Sequence, residues 1–152
     1  MESQSLEHPD NVTLRKFLAR CRVFQGLNEM EIATMTGLLL IESYEEGDLV
    51  MKQGSSGDSY YVVYRGSVSV SKQERGSAQQ VDLTDLGPEN LCGEIALVQK
   101  RPRTATVTVA EDSILLRFSY QDFEKLQQYL PETAKKILDN MRKIMTERTW
   151  AM

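Results

Sequence analysis

The sequence predicts a mainly β domain with helices at both ends, and three observations predict it. Apolar residues recur at helical spacing before Gly37 and again after Ser119, but not between. The middle carries seven short apolar runs divided by glycine turns, at Gly47, Gly54, Gly57, Gly66, Gly76 and Gly87. Those runs are rich in Val, Ile, Tyr and Thr, the residues that suit a pleated surface. Short strands with frequent turns point to a sandwich, roll or barrel. A chain of 152 residues is long enough for one domain with a sizeable core.

The elements follow in order. Residues 1–11 read as a flexible polar tail, and residues 12–152 as the domain. Val12, Leu14, Phe17, Leu18 and Cys21 mark a first helix, broken at Gly26. Asn28 is placed to cap a second helix, with Glu31 three residues on as in a capping box; Met30, Ile32, Ala33 and Met35 are its apolar positions. Strands are expected at Leu39–Tyr44, Leu49–Lys52, Tyr60–Tyr64, Val68–Ser71, Val81–Leu86, Arg103–Val109 and Ile114–Phe118. Tyr60–Tyr64 is apolar on both faces and reads as doubly covered, whereas Val68–Ser71 alternates, one face in and one out. Ser119 is placed to cap a helix with Asp122 at its third position, and Pro131 opens a last helix. Ala134, Ile137, Leu138, Met141, Ile144 and Met145 form one stripe along it, with Trp150 beyond.

Composition narrows the function. Net charge is −4 and the pI about 5.1, which argues against a general nucleic-acid surface. No apolar run reaches transmembrane length and the acidic N-terminus is no signal peptide, so the expected location is cytoplasmic, with neither membrane nor nucleic acid as partner. The single histidine, His8, and two distant cysteines, Cys21 and Cys92, assemble no recognisable zinc site and no credible nucleophile–histidine pair. The cysteines read as reduced thiols. No metal, cofactor or catalytic residue is expected, and the chain reads as a non-enzyme.

One stretch carries chemistry: Cys92 to Val107, CGEIALVQKRPRTATV. Gly93 allows a tight turn and close backbone approach. Ile95-Ala96-Leu97-Val98 is about one helical turn, whose unpaired amides suit a phosphate. Glu94 offers a carboxylate to a sugar hydroxyl, and Arg103 a guanidinium that forks onto phosphate oxygens. One small ligand that needs both is a phosphorylated ribose. Lys100 and Arg101 read as solvated loop charges.

The stretch resembles the phosphate-binding cassette of cyclic nucleotide-binding domains, roughly G-E-[LI]-A-L, five residues, then R-[TSA]-A. Gly93, Glu94, Ile95, Ala96, Leu97, Arg103, Thr104 and Ala105 match it without a gap. The resemblance extends over Val12 to Met145, and the Gly47, Gly54, Gly57 and Gly66 turns are similar to the family's N-terminal half. It implies an eight-stranded β-roll (a jelly-roll arrangement) with N-terminal helices and two C-terminal helices, an α+β domain. It implies that cAMP or cGMP is held by Gly93, Glu94, Ile95, Ala96, Arg103, Thr104 and Ala105. Thr104 leaves the choice of base open. Val70, Leu83 and Leu86 are candidate walls for the base, with core packing as the equal alternative. The family's last helix folds over the base, which makes Leu138, Met141, Arg142 and Met145 candidates too.

The sequence departs from the family twice: Cys92 stands where an aromatic precedes Gly-Glu, and Glu89 where a turn glycine is common. The expected function is a cyclic nucleotide sensor that transmits binding through its terminal helices. Residues after Leu130 read as one helix, too short for an effector domain, so the output is expected from a fused domain or a protein partner in trans. The alternative is a degenerate copy serving as an interaction or dimerisation module. An enzyme on a cupin-like barrel is disfavoured by the lone histidine.

Overall fold

A computed structural model describes residues 6–74 and 76–148. Trp150 and the first five residues of the expected tail lie outside the described residues. Helix α1 (Asn11–Arg20) starts where the Asp10 side chain accepts from the Thr13 amide, and it buries Leu14, Phe17 and Leu18 while Val12 stays exposed. A 3-10 turn (Arg22–Phe24) leads to α2 (Glu29–Leu38), whose Asn28–Glu31 capping box forms as expected. Ile32 and Met35 face inward, whereas Met30 and Ala33, expected on the same stripe, are exposed: Met30 lies in the first turn, and Ala33, next to Ile32, turns to the outer side of the helix.

Among the described residues six strands form one antiparallel sheet: β1 (Leu40–Tyr44), β2 (Leu49–Met51), β3 (Ser59–Gln73), β4 (Gln80–Leu86), β5 (Leu91–Cys92) and β6 (Thr106–Ser119). The order is β1-β6-β3-β4, with β2 on β6 and β5 on β3. Tyr60–Tyr64 and Val68–Ser71 are thus one strand, and Ile114–Phe118 continues the strand that holds Val107. Both long strands change register at one level, where Arg65 pairs with Ile114 but Ser67 with Glu111. Gly66 makes the bend: its φ is 93°, and a side chain there would strike Ser113, whose Oγ accepts from the Ser67 amide. Counted on each side of their bends, six strands supply the eight segments of a β-roll. The expected strand at Arg103 begins only at Thr106, and β5 was not foreseen.

Two cores result. Leu18, Phe24, Met35, Tyr60, Val62, Phe118, Phe123, Ile137 and Met141 fill the space between sheet and helices. Tyr61, Val63, Val68, Val70, Val107, Val109 and Leu115 fill the roll. Alternate residues of Tyr60–Val63 enter different cores, so that segment is covered on both faces as its composition required. The chain closes with α4 (Tyr120–Tyr129), capped by Ser119, and α5 (Pro131–Glu147). Among the described residues no helix is long and apolar enough to cross a membrane.

Candidate functional site

β5 ends at Cys92, and Gly93, at φ 89°, swings the chain into the short helix α3 (Glu94–Gln99). A side chain at 93 would meet Arg103 Nη1 at 2.9 Å and Ser59 O at 3.0 Å, so glycine is required by both backbone angle and space. Arg103 lies in the loop before β6, which two backbone bonds pin to the loop after β2: Gly54 N to Arg103 O and Arg103 N to Ser55 O, each 2.8 Å.

The Arg103 side chain is buried and oriented from several directions. Nη1 donates to Gly93 O (2.8 Å) and Tyr120 Oη (2.8 Å), and Nη2 donates to Ser59 O (2.7 Å). The Tyr120 hydroxyl donates onward to Gly93 O. The guanidinium carbon lies 5.7 Å from the Tyr120 ring centre. A guanidinium has five N–H donors. Among the described residues three are used, leaving Nε and one Nη2 hydrogen for an anion.

Glu94 is 2% exposed and its Oε1 accepts from Arg148 Nη1 at 3.0 Å. Burial pushes its carboxyl above the usual range, and Arg148 and then Arg103 oppose that rise. Burial also pushes the Tyr120 hydroxyl up to about 12 despite Arg103, and the Cys92 thiol up to about 12 with Glu94 adding to it. A fixed carboxylate and a fixed guanidinium therefore face one cleft, with about 380 Å³ of space between atoms, its open mouth included. Such a pair can accept from hydroxyls at one end and donate to an anion at the other. Among the described residues no group of three or more His, Cys, Asp or Glu is placed to hold a metal.

A family model described as a cyclic nucleotide-binding domain matches residues 41–129. The chain belongs to this family. It is similar to the cGMP-dependent protein kinase egl-4 of Caenorhabditis elegans, 27% identical over 169 residues that cover 98% of this chain and 22% of that protein. The chain thus spans about a fifth of that relative's length. Its fold is similar to the catabolite activator protein of Thermus thermophilus, with 28% identity, 83% of this chain and 59% of that one covered, and a TM-score of 0.73. It also resembles the regulatory domain of Toxoplasma gondii PKA, solved with cAMP: 22% identity, 90% and 50% covered, TM-score 0.79.

In this cyclic nucleotide-binding domain, Val70, Gly93, Glu94, Ile95, Ala96, Arg103, Thr104 and Ala105 all line the cleft. Leu83 and Leu86 lie with the core of the roll instead. Leu138 and Met141 lie with the core between sheet and helices, and Arg142 is exposed beside Asp139. Cys92 also lines the cleft. Met51, Val107 and Arg148 line it unforeseen, and Tyr120 and Ser59 orient Arg103 from outside the matched stretch. Val107 ends the same stretch, but nothing in the local sequence marks Met51, Ser59, Tyr120 or Arg148, because each is brought in from outside the stretch by the fold.

Proposed function

We propose that this domain binds cAMP or cGMP in the Glu94–Arg103 cleft and reports occupancy through its terminal helices. The observation that carries the reading is the pairing of two buried, oriented charges on one cleft, one of which keeps two N–H donors unspent among the described residues. Glu94 accepts from the ribose hydroxyl, and Arg103 forks onto the cyclic phosphate. Val70, Ile95 and Ala105 supply apolar wall. The reading assigns binding rather than catalysis, in the cytoplasm, with an effector fused to the domain or recruited in trans.

The helices are wired to the cleft. Tyr120, which contacts Arg103, is the first residue of α4, and its amide donates to Asp58 O at 2.8 Å. α5 is in turn tied to the N-terminal helices. Glu31 accepts from Lys136 Nζ (2.8 Å) and from the Thr133 hydroxyl, and Asn140 donates to Val23 O (3.0 Å) and Gln25 O (2.9 Å). Nucleotide shifts these helices only to the extent that it binds one arrangement better than another. Hydrogen exchange with and without cAMP or cGMP tests this. The expected result is a change in protection over residues 93–105 that extends into α4 and α5. A change confined to the cassette would overturn the transmission, and no change with either nucleotide would overturn the binding.

A further inference from the structure

Arg117 sits in β6, paired with Leu40 of β1 on one side and Tyr61 of β3 on the other. Residues directly opposite share a face, so Arg117 lies on the face whose Tyr61 is buried in the core of the roll. A charge at the margin of an apolar core is costly unless it is paired and hydrogen-bonded. Arg117 is held by three elements of the same corner. Its Nε donates to Ser59 Oγ at 2.8 Å, its Nη1 meets Glu42 Oε2 on β1 at 3.3 Å, and its Nη2 meets Asp58 Oδ2 at 3.5 Å. Glu42 is steadied in turn by the Tyr44 hydroxyl, which donates to its Oε1 at 2.7 Å. The Asp58 side chain is largely exposed, so that contact is weak, whereas Ser59 is fully buried.

Ser59 therefore stands between two arginines. Its hydroxyl accepts from Arg117, and its carbonyl accepts from Arg103 Nη2 at 2.7 Å. The two residues before it reach the same place. Asp58 O accepts from the amide of Tyr120, whose hydroxyl accepts from Arg103 Nη1, and a side chain at Gly57 would stand 2.8 Å from Arg103 Cζ. Residues 57–59 thus form one wall of the seat of Arg103, at the point where the loop enters β3. We infer that Arg117 is a positioning residue for Arg103: from outside the cleft lining it fixes Ser59, and through Ser59 the direction in which the Arg103 fork faces the anion. The fork is then aimed by β1, β3 and β6 together, and not by the cassette alone.

This inference rests on the nucleotide reading, so its test has one arm with ligand and one without. The full chain and its R117Q, S59A and S59A/R117Q variants are titrated with cAMP and cGMP, with thermal unfolding to confirm that each folds. Beside this, the Arg103 Nε–H signal is followed by nitrogen-15 NMR without ligand, assigned by its loss in R103K. Each single variant is expected to weaken binding about 2- to 12-fold, the worth of one hydrogen bond, and the double variant little more than S59A alone. S59A leaves the Arg117 charge in place, so a loss there reports position and not long-range attraction. The Arg103 signal moves in both single variants. Wild-type affinity in folded S59A or R117Q, or losses that add in full, overturns the proposal. An unmoved Arg103 signal overturns it without touching the nucleotide reading. Should R117Q not fold, S59A decides by the same two readouts. If wild type binds neither nucleotide, the functional reading falls and the proposal with it, even where the Arg103 signal moves.

Discussion

Replacing Gly57 with alanine adds one carbon beside the Arg103 guanidinium. That carbon would stand 2.8 Å from Arg103 Cζ, 2.9 Å from Nη1 and 2.9 Å from Ala96 Cβ, where ordinary contact begins at 3.4 Å. The glycine is not in the left-handed region, so the backbone accepts alanine and the effect is steric. Ala96 Cβ is carried on α3 and gives little, so the guanidinium retreats by about 0.6 Å, the difference between 3.4 and 2.8 Å. Its bonds to Gly93 O, Tyr120 Oη and Ser59 O, all 2.7–2.8 Å, cannot all survive that shift, and the fork turned toward the cleft leaves its line. Losing about one charge-assisted bond to phosphate is worth ~1.5–3 kcal/mol, so Gly57→Ala should weaken nucleotide binding about 10- to 150-fold. Calorimetric titration measures this, with thermal unfolding to confirm that the variant folds. Gly37→Ala is the control: it sits in α2 with open space around it and should gain ~0.5–1 kcal/mol of stability with affinity unchanged. A folded Gly57→Ala variant with wild-type affinity would refute the claim that Arg103 is held in a fixed seat.

Other outcomes follow from the same structure. Glu89 has φ 72°, in the region that costs an ordinary residue ~1–2 kcal/mol; glycine's greater entropy loss on folding offsets roughly 0.5–1 kcal/mol of that, so Glu89→Gly should gain about 0.5–1 kcal/mol and raise Tm by about 1–4 °C in a thermal melt; an unchanged or lower Tm counts against strain at that turn. Glu31 is held down to about 2 by the bonds from Lys136 and Thr133, below its unfolded value of 4.5. Its contribution is therefore complete above about pH 4.5 and is lost as pH falls through 2. In denaturant titrations, Glu31→Gln should lose less stability than wild type between pH 5 and 2, by ~1–2 kcal/mol once the half-exposed Lys136 is allowed for. Equal slopes would contradict it. Burial pushes both Cys21 and Cys92 up to about 12, so neither should react with a thiol reagent at pH 8 in the native protein, and both should after denaturation.

How far the sequence disclosed this molecule depends on the range of the interaction. The Asn28–Glu31 box and the Ser119 cap are written within four residues, and both are found as read. The cassette is likewise contiguous, so its residues could be named before any fold was known. The bends in β3 and β6 are a different matter: Gly66 was legible as a turn, but it bends a strand rather than ending it, because Ser113 on the paired strand satisfies the Ser67 amide. Alternation along β4 could not separate pocket wall from core, since the register between β3 and β4 slips between Val70 and Ser71. The stripe on α5 gave the buried face of that helix, as Ala134, Ile137, Met141 and Ile144 show, but could not say which core it fills. Tyr120 and Arg148 reach the cleft by pairings 17 and 54 residues long, which no local pattern encodes.

The central claim is that Glu94 and Arg103 bind a cyclic nucleotide. Isothermal titration of the purified chain with cAMP and with cGMP, freed of any co-purified ligand and set beside Arg103→Ala, tests it most directly. The account predicts saturable binding of at least one nucleotide, weakened about 10- to 150-fold by the substitution. No heat and no thermal shift with either nucleotide, or binding that Arg103→Ala leaves intact, would contradict it.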